Sequence, residues 1–245
     1  MRLWLFNTEI TFVRGSENIN ALWRSKILQA REVTCFSLST FFNTPKAAMK
    51  IYYRDDSGIS SQPHPKSNVP FKDRYYFHTR KDLVGFFQGP GLKHMAQRFH
   101  DRLQDRISNL EVNHDWIEFA DLYSFVQDML TGPAIEAMCG PVLLNRNSTF
   151  IDDFWQLDSD ILIFFKGLPR WTTPRAWKNR ERLLTAVKTW HAYAQEHFDE
   201  SFVEADGHDR FYGSPIIRLR QNYLPKVDGL DADACAAQDL GLLWA

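Results

Sequence analysis

The side chains that could carry chemistry are scattered through this 245-residue sequence. Its three cysteines, Cys35, Cys139 and Cys235, lie about a hundred residues apart, and none belongs to a CxxC or Cys/His motif. The eight histidines show no ligand spacing either. This pattern predicts free, buried thiols and indicates neither a disulfide framework nor a metal site.

Motifs that build nucleotide or hydrolase sites are absent from the sequence, which contains no GxGxxG, GxxxxGK[ST], GxSxG or HExxH. Carboxylates occur in pairs at Asp55-Asp56 and Asp152-Asp153. Neighbours along a chain do not converge on one substrate atom, and acids in the first turn of a helix are explained by its dipole. Residue types alone therefore indicate no catalytic residue.

Composition excludes one class of partner and suggests another. The 29 basic and 30 acidic side chains leave a net charge of −1, so no long-range field attracts nucleic acid. The 19 Phe, 8 Trp and 8 Tyr indicate a large apolar core or an apolar ligand. We expect no signal peptide, and no membrane span because no apolar stretch reaches about 18–20 residues.

Periodicity predicts a mainly α fold with a small β hairpin, and the length allows one large domain or two small ones. Residues 1–30 would form the hairpin and a first helix that Ser16 caps. Residues 31–80 form a loop-rich segment whose stretch 55–70 is either a functional loop or a disordered insertion. Residues 81–245 would be helical.

Local signals place several helix ends within the helical segment. Asp115 is a possible cap, and Gly132-Pro133 marks a kink or break. Thr173 and Pro174 have the types preferred at the N-cap and the first helical position. A last helix is predicted near Asp231, and it becomes apolar in the sequence LGLLWA. Both ends of the chain resemble points of truncation, and a truncated end would expose apolar surface.

Four stretches, in order, resemble the front half of cytochrome P-450 monooxygenases. They are RLWLFNTEITFVRGSENINALWRS, FHTRKDLVGFFQGPGLKHMAQRFHDRL, FIDDFWQLDSDILIFFKGLPRWTTPRAWKNRERLL and DADACAAQDLGLLWA. The resemblance is greatest to the branch with sterol 7α-hydroxylases, 8B sterol hydroxylases and prostacyclin synthase, and to its fungal relatives. It rests on ordered similarity, because none of these stretches is a catalytic signature.

The resemblance implies that residues 1–245 are the amino-terminal part of a single cytochrome P-450 domain, a partial fold truncated at the start of the long central helix. In that family the haem-ligand cysteine comes later, so we expect this chain alone to bind no haem stably and to be inactive. The parent would oxidise an apolar, sterol-like or lipid substrate with O₂ and with NADPH-derived electrons from a reductase. It would be anchored to the endoplasmic reticulum membrane.

The resemblance also implies two groups of site residues. Arg80 and Lys81 would contact the haem propionates by position, although the usual Trp-x-x-x-Arg form is missing, or they are two solvated charges. Five apolar residues would line the substrate, or they are ordinary core: Phe36, Phe41, Phe42, Ile161 and Phe165. The rival interpretations are a non-catalytic all-helical binding or scaffold protein with an apolar groove, and a mis-predicted gene fragment without a stable fold.

Overall fold

The computed structural model describes residues 2–5, 8–25, 31–110, 116, 118–119 and 121–244. Helices dominate these residues, which confirms the mainly α fold. The helices, in chain order, are α1 (Ser16–Arg24), α2 (Arg31–Thr40), α3 (Lys46–Arg54), α4 (Tyr75–Phe87), α5 (Pro90–Ser108), α6 (Leu122–Cys139), α7 (Val142–Arg146), α8 (Phe150–Phe165), α9 (Pro174–His197), α10 (Pro215–Tyr223) and α11 (Ala232–Trp244).

Two short strands precede the helices. β1 (Arg2–Leu5) and β2 (Thr8–Thr11) pair antiparallel, with Arg2 opposite Thr11. Gly15 then takes the N-cap position of α1 with φ of 92°, a left-handed value that suits glycine. Ser16 is therefore the first helical residue and not the cap that the sequence predicts.

The segment 31–80 contains more helix than its composition suggests, because α2, α3 and the start of α4 lie in it. Its long loop is restricted to residues 55–70 and is tied to the fold by the buried side chain of Arg74. The guanidinium donates to the Ser57 hydroxyl (3.1 Å) and to the carbonyls of Ser60 (2.5 Å) and Ser61 (2.9 Å). These three hydrogen bonds hold the loop against the start of α4.

Helix ends follow the sequence signals in some places and depart from them in others. Asp121 caps α6 by accepting from the Ser124 backbone N–H at 2.7 Å, whereas the predicted cap Asp115 lies outside the described residues. α6 continues through Pro133 instead of breaking there. α9 begins at Pro174 as predicted, and Asp231 caps α11 by accepting from the Ala234 N–H at 2.8 Å.

α9 is the centre of the core, with α8 and α11 packed against it. Its side chains Leu183, Val187, Trp190 and Ala194 are buried at the spacing of one helical face. The Trp190 indole donates to the Phe211 carbonyl at 2.7 Å, so burial leaves its N–H satisfied. No helix in the described ranges is both long enough and apolar enough to cross a membrane.

A buried ion pair joins α9, α10 and α11. Arg220 donates from Nε to Asp239 at 2.6 Å, and the other carboxylate oxygen of Asp239 accepts from Gln221 at 2.6 Å and lies 3.1 Å from His191 Nε2. Burial alone would raise the pKa of the Asp239 carboxyl. The Arg220 charge and the hydrogen bonds from His191 and Arg220 outweigh burial and lower that pKa to about 2.

The loop before α10 approaches the end of α6 with no room for a side chain. Gly213 has φ of 79°, and a Cβ there would overlap the backbone of Cys139 and Gly140. The Ser214 N–H and hydroxyl both donate to the Met138 carbonyl at 2.8 Å. The contact is therefore made by two backbones in direct apposition.

We expect Gly213→Ala to lower the free energy of unfolding by about 2–4 kcal/mol, because the substitution adds backbone strain to a steric clash. Gly58→Ala is the matched control, since Gly58 also has a positive φ (76°) but nothing lies within 4 Å of the position that its added methyl group would take. That control should cost about 1 kcal/mol. Urea unfolding followed by circular dichroism measures both, and equal losses would contradict the close approach.

We expect Asp239→Asn to lower the free energy of unfolding by about 3–5 kcal/mol, because it leaves Arg220 buried without its counter-charge. Asp233→Asn, on the same helix, removes an exposed pair with Lys188 (2.6 Å) and should cost under about 1 kcal/mol. Urea unfolding at neutral pH compares the two variants. Similar losses would show that the buried pair does not hold α11 in place.

The stability that the Asp239 carboxylate contributes should depend on pH. The folded pKa of Asp239, about 2, lies below its ordinary value of 3.8, so the pair contributes fully above about pH 4. Its contribution is lost as the pH falls toward 2. Stability measured from pH 5 to pH 2 should therefore fall more steeply in the wild type than in Asp239→Asn.

Candidate functional site

Aromatic side chains from three helices that are distant in sequence meet in one place. Phe36 on α2 lies 5.6 Å from Phe41 and 5.9 Å from Phe165 at the end of α8, measured between ring centroids. Trp244 at the end of α11 lies 6.3 Å from Phe41 and 6.0 Å from Phe42. These five residues are the aromatic cluster, and four of them are predicted substrate-lining residues.

The aromatic cluster has a buried base and an open edge. Phe41 and Phe42 are 9% and 3% exposed, Phe36 and Trp244 are half-buried, and Phe165 is 38% exposed. Ile161, the fifth predicted lining residue, lies one turn before Phe165 and is half-buried against the core. The apolar end of α11 therefore packs against aromatic rings and is not left in water as the sequence suggests.

Two contacts position Trp244 and Phe42. The Trp244 indole N–H donates to Asp158 Oδ1 on α8 at 3.0 Å, which orients the ring across the gap between the two helices. Gly241 lets the Phe42 ring approach α11 closely, because a Cβ at that position would lie 3.3 Å from the ring. The geometry of the cluster is thus set by polar and steric contacts in addition to apolar burial.

Arg180 on α9 holds the end of α2, and with it Phe41. Its Nη1 donates to the carbonyls of Thr40 (2.8 Å) and Phe41 (3.4 Å), and its guanidinium carbon lies 4.3 Å from the ring centroid of Phe164 and 4.5 Å from that of Trp177. Burial lowers the pKa of Arg180 to about 10, so the group stays charged at neutral pH. A cation at the carboxyl end of a helix is favoured by the helix dipole.

Sequence reasoning missed Arg180, although a signal for it exists. The residue precedes the buried Leu183 by three positions and Val187 by seven, so it lies on the apolar face of α9. Other charged residues of this helix, such as Arg175 and Lys178, are on the exposed face. A cation on the apolar side of an amphipathic helix must find partners inside the protein.

Arg80 and Lys81 lie apart from the aromatic cluster, on α4. Both side chains are exposed there. Their assignment to haem propionates remains a prediction, and so does the alternative of two solvated charges.

The cysteines do not fit the role of an axial haem ligand. Cys35, Cys139 and Cys235 are buried, and burial raises the pKa of each thiol, to about 12 for Cys235 and well above the ordinary value for Cys139. Such a ligand must be a thiolate with access to iron. Among the described residues, no group of three or more His, Cys, Asp or Glu could hold a metal ion.

Comparison with known proteins identifies three fungal relatives. The chain is 36% identical over 187 residues to the cytochrome P-450 monooxygenase fsoE of Humicola fuscoatra, which covers 74% of this chain. It is 26% identical over 166 residues to the monooxygenase efuG of Hormonema carpetanum (66% of this chain), and 24% identical over 214 residues to calL of Penicillium decumbens (86% of this chain). No protein-family model and no solved structure matches it.

The matched regions represent 31%, 30% and 40% of fsoE, efuG and calL, so the chain spans about a third of the length of the curated relatives it matches. The mainly helical fold agrees with a part of the cytochrome P-450 fold. The similarity supports the family that the four sequence stretches indicate and does not distinguish its sterol hydroxylase branch. This chain is therefore similar to fungal cytochrome P-450 monooxygenases.

Proposed function

We propose that this chain forms part of a haem-dependent monooxygenase that oxidises an apolar, sterol-like or lipid substrate with O₂ and NADPH-derived electrons from a reductase. The observation that carries the proposal is the aromatic cluster. Rings from α2, α8 and α11 converge there in a chain similar to cytochrome P-450 monooxygenases. The sterol hydroxylase branch and a location at the endoplasmic reticulum membrane are parts of the proposal that rest on the sequence resemblance.

The open edge of the aromatic cluster is suited to an apolar molecule. Phe165 and Trp244 present ring surface beside a buried base of Phe41 and Phe42, and aromatic rings offer a large contact area with few rotatable bonds. A rigid fused-ring substrate would lose little conformational freedom against such a wall. The cluster therefore has the character of one wall of a substrate site.

The proposal also includes inactivity of this chain by itself. In haem-thiolate enzymes, the cysteine thiolate donates electron density to iron and so favours cleavage of the O–O bond. The three thiols of this chain are buried among apolar side chains and held protonated. No residue described here takes the role of that donor.

We expect the purified chain, mixed with haem, reduced and exposed to CO, to lack the red-shifted Soret band of a thiolate-bound complex. Buried, protonated thiols should also resist a thiol reagent in native buffer, and three should react after denaturation. Absorbance spectroscopy and thiol titration measure the two properties on one preparation.

A full-length cytochrome P-450 carried through the same reduction is the positive control for the band. A clear band from the chain itself would place a ligand on one of its own cysteines and refute the proposed inactivity. Separate Cys35→Ala, Cys139→Ala and Cys235→Ala variants would then identify that ligand.

We expect the chain to bind a sterol at the aromatic cluster, and Phe165→Ala to weaken this binding by about fivefold to tenfold, because it removes apolar contact at the open edge. Titration with ergosterol, followed by tryptophan fluorescence, gives the dissociation constant. Phe87→Ala is the matched control, since Phe87 also ends a helix and is 40% exposed but lies outside the cluster.

Equal binding by the two variants would assign the aromatic cluster to core packing. Absence of sterol binding by the wild-type chain would do the same. Either result would remove the observation on which the proposed substrate class rests.

A further inference from the structure

Asp158 on α8 places a carboxylate at the edge of the aromatic cluster. It precedes Ile161 by three positions and Phe165 by seven, so these residues lie on one face of the helix, about 10 Å from end to end. The Asp158 Oδ1 atom accepts from the Trp244 indole N–H at 3.0 Å. A charged polar group is thus attached to a wall that otherwise consists of apolar side chains.

The second carboxylate oxygen of Asp158, Oδ2, is available to a ligand. Within the described ranges, no residue donates a hydrogen bond to it or forms an ion pair with it, although the side chain is half-buried. Solvent reaches this atom, whereas Oδ2 of Asp160, on the same helix, is buried. A carboxylate oxygen accepts more than one donor, so Asp158 has capacity for a molecule that lies against the cluster.

The chemistry of a carboxylate determines which group of a ligand suits Asp158. An ionised carboxylate accepts hydrogen bonds and donates none, so it favours a hydroxyl over a carbonyl or an ether. A carbonyl would displace water from Oδ2 and supply no donor in its place, which is unfavourable. A hydroxyl replaces that water and gains a hydrogen bond to a charged group, which is stronger than a neutral one.

We propose that Asp158 is a specificity-determining residue that binds a hydroxyl group at one end of a fused-ring apolar substrate. Ile161, Phe165 and the rest of the aromatic cluster contact the ring body. Trp244 is a positioning residue, because its indole N–H holds Oδ1 and leaves Oδ2 for the substrate. This inference rests on the proposed function, since it assigns the end group of the same substrate.

The test compares two ligands that share one ring skeleton. Cholestanol carries a hydroxyl group at C3, and cholestan-3-one carries a carbonyl at the same atom. Both are added to the 245-residue chain from the same cyclodextrin, and tryptophan fluorescence gives the two dissociation constants. The wild-type chain should bind cholestanol about tenfold more tightly, because only the hydroxyl donates to Oδ2.

Asp158→Asn changes an acceptor into a donor and keeps the shape of the side chain. The amide oxygen still accepts from Trp244, and the amide N–H group takes the place of Oδ2. This group donates to a hydroxyl or to a carbonyl. Cholestan-3-one should therefore bind about threefold more tightly and cholestanol more weakly, so that the two dissociation constants become about equal.

Two further variants separate this effect from a general loss of charge or contact. Asp152→Asn is the matched control, since Asp152 is an exposed acid in the first turn of α8 and should leave both constants unchanged. Phe165→Ala removes apolar contact alone, so it should weaken both ligands by the same factor. Circular dichroism checks that each variant is folded.

The proposal is overturned if the wild-type chain binds the two ligands equally, or if Asp158→Asn weakens both in parallel or leaves their ratio unchanged. Parallel weakening would show that Asp158 acts only by packing Trp244. Binding of both ligands without discrimination refutes the role of Asp158 and leaves the proposed substrate class intact. Absence of binding by either ligand refutes that class, and this inference with it.

Discussion

The ion pair between Arg220 and Asp239 is the interaction on which the arrangement of the last three helices depends. Both side chains are buried, and the polar groups that bond to the Asp239 carboxylate come from α9 and α10. A charge pair inside a protein is tolerated only if its remaining lone pairs and protons are also satisfied. Gln221 and His191 supply those contacts, so α11 has one position in which its carboxylate is stable.

The fixed position of α11 determines the aromatic cluster. Asp239 lies two residues before Gly241, which admits the Phe42 ring, and five before Trp244, which contacts Phe41 and Phe42. A buried charge pair thus sets the register of a helix whose apolar end faces α2 and α8. The ion pair between Arg220 and Asp239 therefore also determines where the aromatic cluster forms.

The sequence predicts the helical architecture well because helix formation is determined mainly by residues that are close in sequence. Periodic apolar residues and helix starts, such as Pro174 for α9 and the region of Asp231 for α11, depend on neighbours a few positions away, and the structure confirms them. The sequence gives no signal that Arg74 is buried, since charged side chains usually remain in water. Arg180, in contrast, could be recognised by its place on the apolar face of α9. The acceptors of Arg180 lie 139 and 140 residues away in sequence.

Parts of the candidate site were predictable for a different reason. The family resemblance predicts Phe36, Phe41, Phe42 and Phe165 as lining residues, and the structure brings them together. It does not predict Trp244, because the role of this residue depends on how α11 packs. The resemblance does not decide between substrate wall and core, since both require the same apolar residues at the same positions.

The hydrogen bonds from Arg180 to the carbonyls of Thr40 and Phe41 limit the length of α2. The Thr40 oxygen is the one that the Thr44 N–H would need in a further helical turn, Pro45 has no N–H to offer the Phe41 oxygen, and Asn43 turns the chain away with φ of 52°. Elongation of α2 would have to displace a guanidinium anchored on another helix. Arg180, which is distant in sequence, thereby helps to end α2, and it fixes the point at which the ring of Phe41 leaves this helix.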